Sequence, residues 1–190
     1  MLYKIRIILI LFYCSFIFSN YCLSIENKDF KSYIIKVILN QNNKISLKNI
    51  YDDKIINANI SGFVDSSDRG TFLKAKIQCD ILGRRYKGRV FSCGFAEVED
   101  LKGYCQFITT NPKDSLLTYW ECSTTAGSTG DPICKGKVKV IEGFGGLAGI
   151  IGFGEIEMPL IKTLANKKIS YPILWNLKIK KPLNLKKPNY

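Results

Sequence analysis

Cysteine is the residue type with the most chemistry to offer in this sequence: there are seven, and histidine is absent. Without an imidazole there is no Ser-His-Asp or Cys-His nucleophile system, no His-ligated zinc and no histidine general base. Cys14 and Cys22 fall in an N-terminal stretch considered below, which leaves Cys79, Cys93, Cys105, Cys122 and Cys134. Cys93 and Cys105 are twelve residues apart, as are Cys122 and Cys134, and each interval holds turn-forming residues, Glu97 to Gly103 and Thr124 to Asp131. The spacing predicts two cross-strand disulfides, Cys93–Cys105 and Cys122–Cys134, with Cys79 as the free thiol. A structural zinc site would bring two ligands together as C-x(2–4)-C. None of these cysteines is so closely spaced, so no metal is expected.

Two further sets of side chains have chemical potential. Glu97, Glu121, Glu142, Glu155 and Glu157 lie on or beside apolar stretches and would serve as carboxylates for charge steering. Each also fits a solvated strand face opposite the lysines, which is the ordinary place for such a residue. The aromatic residues Tyr86, Phe91, Phe95, Tyr104, Phe107, Tyr119, Trp120, Phe144 and Phe153 would line the inside of a ligand-binding domain, or simply fill its core. Of these, Tyr86, Tyr104, Tyr119, Trp120, Phe144 and Phe153 are the candidate ligand-binding residues. No cofactor is expected. Gly143, Gly145 and Ala148 imitate the G-x-G-x-x-A dinucleotide fingerprint. That fingerprint must open a helix and be followed by an acidic residue about 20 positions on. Here Gly149, Gly152 and Gly154 oppose a helix, and no acid follows Glu157. A phosphate-cradling P-loop is excluded because no Gly-Lys-Ser/Thr closes the run.

The elements that must hold these residues read as strands. Tyr33, Ile35, Val37 and Leu39 alternate onto one face, as do Ile56, Ala58, Ile60, Gly62 and Val64, and Leu73, Ala75, Ile77 and Cys79. More strands are expected at residues 85–97, 103–110, 116–123, 134–141, 148–158 and 171–179. Turns are expected at Asp65–Gly70, Leu82–Arg84, Asn111–Asp114 and Ala126–Asp131. Glu142–Gly146 should form a tight turn with a glycine at positive φ, joining two antiparallel strands. One short helix is predicted at Pro159–Asn166. Many short strands at this spacing indicate an all-β domain, a small antiparallel barrel of about eight strands or, alternatively, a β-sandwich.

The N-terminus has a signal-peptide layout: Lys4 and Arg6, an apolar run from Ile7 to Phe18, then small and polar residues to Ser24. An uncleaved anchor would need roughly 20 apolar residues. Residues 1–24 are therefore read as a signal peptide, residues 25–181 as the barrel domain and residues 182–190 as a basic tail. The protein is expected to be exported to the periplasm or beyond, where disulfides persist. Removing Lys4 and Arg6 from 28 basic residues leaves 26 against 16 acidic ones, net +10, and eight lysines with no acid follow Glu157. Lys162, Lys167, Lys168, Lys178, Lys180, Lys181, Lys186 and Lys187 would hold the chain against an anionic envelope surface, or stand solvated in a tail broken by Pro182 and Pro188. Nucleic acid is not an expected partner, since export removes the chain from it and no reading motif is present.

Cys93-Gly94, Gly103-Tyr104-Cys105, Trp120 at the end of a strand, Gly136 and the segment Gly143–Gly152 together resemble a pattern in small exported bacterial proteins of unassigned function. These are similar to allene oxide cyclase-like and dirigent-like β-barrels. The resemblance covers roughly residues 70–158. Phe144 stands where that pattern has Thr and Gly146 where it usually has Lys, and the turn Pro112–Ser115 lacks its acidic loop. The resemblance implies a closed barrel and, as one function, a cofactor-independent isomerase of the cyclase type that holds a reactive substrate in one conformation. The composition itself points first to a non-catalytic exported barrel with a small apolar ligand inside. A structural envelope protein anchored by the C-terminal lysines is a third reading.

Overall fold

The computed structural model describes residues 30–39, 44–67, 70–91, 94–128, 130–161 and 173–180, the side chains of residues 66 and 89–96 excepted. The strands are β1 Lys31–Leu39, β2 Lys44–Ile50, β3 Asp53–Ser67, β4 Lys76–Phe91, β5 Gly94–Ile108, β6 Ser115–Ala126, β7 Pro132–Phe144, β8 Ile151–Pro159 and β9 Ile173–Lys180. They form one antiparallel sheet in the order β1-β9-β8-β7-β6-β5-β4-β3-β2, and an added β1–β3 ladder closes eight of them into a ring. The all-β barrel expected from alternation is the fold.

Closure depends on how β3 is shared. Its second half pairs with β1, from Leu39↔Gly62 to Ile35↔Ser67, while its first half pairs with β2, from Lys44↔Asn59 to Ile50↔Asp53. β2 thus continues the line of β1 beyond the ring and is almost wholly exposed. β1 in turn takes β9 on its other edge, from Lys31↔Ile179 to Val37↔Ile173.

Inside, every second residue points at the axis. Trp120, Trp175, Phe72 and Phe107 are fully buried there with Ile35, Ile56, Ile60, Leu116, Ile156 and Ile173. Phe107 meets Trp175 edge-on at 5.1 Å and Phe72 at 6.0 Å, and Phe72 meets Tyr33 at 5.4 Å. The axis is therefore occupied by aromatic side chains. Gly103 is required by this packing: a Cβ there would lie 3.2 Å from the Trp120 ring and run into the Asp80 carbonyl oxygen.

Three local expectations are corrected. No turn occurs at Leu82–Arg84 or at Glu97–Gly103; β4 and β5 run straight through both stretches. The β4–β5 ladder is continuous from Lys76↔Ile108 to Arg89↔Phe95, and two long ribbons coil together without a break because glycines fall where the strands approach closest. Cys105 is bonded to Cys79, directly across that ladder with Cα atoms 4.1 Å apart, so the expected Cys93–Cys105 bridge and the free Cys79 are both replaced. Gly94 and Cys105 sit at opposite ends of one extended strand, roughly 35 Å of chain at the usual rise per residue, which puts the start of β5 out of reach. Cys93 itself lies outside the described residues. Leu73 belongs to a turn and is exposed instead of sharing the face of Ala75 and Ile77. Cys122 and Cys134 are bonded across β6 and β7, with Cα atoms 5.4 Å apart.

The glycine run joins two antiparallel strands through a turn with a glycine at positive φ, as expected. The turn follows Phe144 and does not span Glu142–Gly146, because Glu142–Phe144 stay paired with Ser115–Leu117, and the next strand begins at Ile151 and not at 148. β7 extends to Phe144, a single 3-10 turn covers Gly145–Leu147, and β8 returns antiparallel from Lys139↔Phe153 to Ile133↔Pro159. Gly145 has φ +62° and its amide neighbour Gly146 donates to Asp114 Oδ1 at 2.6 Å, tying this turn to the 111–114 turn. A strand follows the glycines where a dinucleotide fingerprint needs a helix. Of the predicted helix, Pro159 ends β8, Leu160 and Ile161 are buried, and 162–166 lie outside the described residues, as do residues 1–24, read as a signal peptide, and the predicted tail 182–190.

Candidate functional site

The six candidate ligand-binding residues do not converge inside the barrel. Trp120 alone among them is in the interior, where its indole N–H points at Cys105 Sγ, 3.1 Å away. Tyr86, Tyr104, Tyr119 and Phe153 alternate onto the outer face, and Phe144 is exposed at the end of β7. The reason is parity: a strand sends neighbouring residues to opposite faces, so Tyr119 and Trp120 cannot both look inward. Phe107, also aromatic and in phase with Cys105, does. The side chains of Phe91 and Phe95 are not among those described.

One carboxylate among the described residues is buried in the interior, and it is Glu99, not one of the five glutamates expected. Glu121, Glu142 and Glu155 are exposed, and Glu97 and Glu157 are half-buried. Glu99 Oε1 accepts from Arg85 Nε at 2.9 Å and from Nη2 at 2.6 Å, and Oε2 accepts the backbone N–H of Ile161 at 2.7 Å. Its own backbone N–H donates to Thr124 Oγ1, whose hydroxyl reaches the Glu99 carbonyl. Both carboxylate oxygens are thus engaged by protein donors, which suits a structural clamp holding the chain after β8 to the barrel wall. Glu99 is in phase with Leu101, Gly103, Cys105 and Phe107, and Arg85 with Ile77, Cys79 and Ile81. That period-two signal would have found the pair; assigning turns at 82–84 and 97–103 broke the phase on both strands.

The open concave surface is on the outside. Two recesses, of about 650 Å³ and about 760 Å³, cross β3 to β7 and share Leu82 and Lys102, so they form one groove. The second recess holds a cross-strand row in which Asp80, Tyr104, Tyr119 and Lys139 are successive register partners on β4, β5, β6 and β7, and the row continues to Phe153 on β8 beyond the lining. The Tyr104 and Tyr119 rings are 5.3 Å apart, and Lys139 Nζ sits 5.4 Å from the Tyr119 ring centre. Asp80 is held by the Asn59 amide at 2.6 Å, and the Tyr119 hydroxyl donates to Glu121 at 3.4 Å. Desolvation, then the Glu121 carboxylate, pushes the Tyr119 phenol above its ordinary value, so it remains a protonated donor. At the far end Arg84 lies over the Tyr86 ring at 4.5 Å and 3.5 Å from Asp100. Desolvation and the Asp100 carboxylate push the Tyr86 phenol upward as well.

The groove offers aromatic faces, fixed hydrogen-bonding groups and cations, which is equipment for holding a ligand. Among the described residues no group of three or more His, Cys, Asp or Glu side chains is placed to share a metal ion. No protein-family model, curated protein or solved structure matches the chain.

Proposed function

We propose that this is an exported, non-catalytic barrel that binds its ligand on the outer face of β3 to β7. The observation that carries the reading is the division of labour between the two faces. Among the described residues the axis holds Trp120, Trp175, Phe72 and Phe107, with the one buried carboxylate engaged by Arg85 and Ile161, while the outer face carries an open groove with two tyrosines in one of its recesses. The large side chains at the described interior positions support placing the ligand on the outer face and not inside a hollow barrel. A cyclase-type isomerase would use a free carboxylate, whereas Glu99 has both oxygens engaged by Arg85 and the Ile161 N–H, which favours the non-catalytic reading.

Two disulfides suit an oxidising compartment, and among the described residues no helix is long and apolar enough to cross a membrane. The lysines proposed to hold the chain to an anionic envelope surface include Lys178 and Lys180 at the end of β9; Lys162, Lys167, Lys168, Lys181, Lys186 and Lys187 lie outside the described residues.

Amide and side-chain NMR spectra recorded during titration with mixtures of small apolar, aromatic and sugar ligands test the reading. Perturbations should gather at Tyr104, Tyr119, Leu82 and Lys102 and leave the indole signals of Trp120 and Trp175 in place. A ligand that moves both indoles and spares the tyrosines would put binding in the interior and overturn it.

A further inference from the structure

The two tyrosines in the groove are flanked by groups of mixed sign, and that mixture narrows the ligand. Lys135, Lys137 and Lys139 alternate along β7 and all point outward, at steps of roughly 7 Å. Lys135 and Lys137 face Glu157 and Glu155 across β8, and Glu121 is a register partner of both Lys137 and Lys102. Lys139 is placed differently, between Tyr119 and Phe153, with no carboxylate directly across from it. Among the described residues neither Lys139 nor Lys102 has a carboxylate within ion-pair distance. Five cations, Arg84 and Lys102, Lys135, Lys137 and Lys139, line the groove against Asp80, Asp100 and Glu121.

We infer that the groove binds an acidic glycan chain of low charge density, a deduction that rests on the outer-face reading above. Sugar rings present an apolar C–H face that packs on an exposed aromatic ring, and Tyr104, 52% exposed, and Tyr119 supply two such rings side by side. Sugar hydroxyls donate to fixed carboxylates, which Asp80, pinned by Asn59, and Glu121 provide. Lys139 and Lys102 remain for sparse carboxylates or sulfates of the chain. The open, continuous shape of the groove admits a polymer passing through. A single-stranded nucleic acid would also stack on tyrosines, but it carries a charge on every nucleotide. Three carboxylates in the groove oppose that density, and the disulfides suit a compartment outside the cytosol.

The test uses the full chain with signal peptide removed and disulfides intact, titrated by calorimetry and NMR with three probes: a hyaluronan octasaccharide, which has one carboxylate per two sugars, a neutral chitooligosaccharide of matched length, and a single-stranded oligothymidylate. The hyaluronan probe should bind best, shift Tyr104 and Tyr119, and weaken as salt is raised. Tyr119→Ala should lower affinity at least about tenfold, whereas Tyr119→Phe, which keeps the ring, should lower it less. Lys139→Gln should remove much of the salt dependence; the residue is exposed and faces no carboxylate across β8, so the fold should survive, which near-ultraviolet dichroism checks. Equal binding of the neutral probe with Lys139→Gln silent would overturn the acidic class while leaving the outer-face reading in place. Preference for oligothymidylate, or no shift of either tyrosine with hyaluronan, would also overturn it. Shifts confined to Trp120 and Trp175 would remove both the inference and the reading beneath it.

Discussion

β4 and β5 contain two arginine–carboxylate pairs in successive rungs, Arg84↔Asp100 and Arg85↔Glu99, and they have opposite fates. Arg84 and Asp100 face water, with their closest atoms 3.5 Å apart and about half and a third of their side chains exposed. Arg85 and Glu99 face the axis, 2.6 Å apart and almost entirely buried. The residue types are nearly the same and the strands are the same; the pleat alone decides which pair is solvated. A buried pair costs much to desolvate and is then expensive to break, while an exposed one contributes little either way. The inner pair therefore ties together β4, β5, β6 and the chain after β8, and the outer pair borders the open groove.

The comparison breaks most visibly when one partner of the inner pair is removed. Glu99→Ala should destabilise the barrel by about 3 to 5 kcal/mol in denaturant unfolding, because Arg85 is left buried and uncompensated. Replacing both partners, Arg85→Met with Glu99→Leu, should recover most of that loss. A single variant that costs no more than an outer-face change would show that the inner pair is not sealed from water.

Next in size come the disulfides. Opening Cys79–Cys105 with Cys79→Ser and Cys105→Ser, which spans 26 positions, should cost about 3 to 4 kcal/mol. Opening Cys122–Cys134, across 12 positions, should cost about 3 kcal/mol by the same chain-entropy argument. The first should alter tryptophan emission more than the second, since Trp120 Nε1 lies 3.1 Å from Cys105 Sγ, in direct contact with that disulfide. Emission should rise on its reduction, and an unchanged spectrum would contradict that contact.

Asp100→Asn should cost less than about 1 kcal/mol, the value of an exposed pair. Its sharper effect should be on Tyr86, whose phenol Asp100 pushes upward and which should therefore ionise at lower pH in the variant. In the native protein Tyr86 and Tyr119 both hold their protons more tightly folded than unfolded. The stability they add is present below the unfolded phenol value of about 10 and is lost as pH rises above it. An ultraviolet titration in which both phenols ionise at the unfolded value would refute this.

Alternation made the barrel legible where apolar residues recur without interruption, as at Ile56 to Val64 and Ile150 to Met158. It failed around Glu99 because charged residues and glycines inside a strand look like a turn. Gly83 and Gly103 are interior positions where strands approach, and Arg85 and Glu99 neutralise each other across a ladder that is visible only once the strands are paired. The Tyr104–Tyr119 platform has the same origin. The residues are fifteen apart in the chain, and their adjacency is a product of register, which hairpin connections and core packing set together.

The ladder between β1 and β9 joins the first described strand to the last. All other neighbours in the ring except β1 and β3 are consecutive hairpins that form as each strand becomes available. Sealing the cylinder must wait for residues 173–180, after all the other described strands have been made. Until then β1 has only its short partner segment on β3, and β8 has an open side. Such long-range closure is slow compared with local hairpin formation. Until β9 is available the cylinder stays an open sheet, so the closing step joins the two described strands that are furthest apart in sequence.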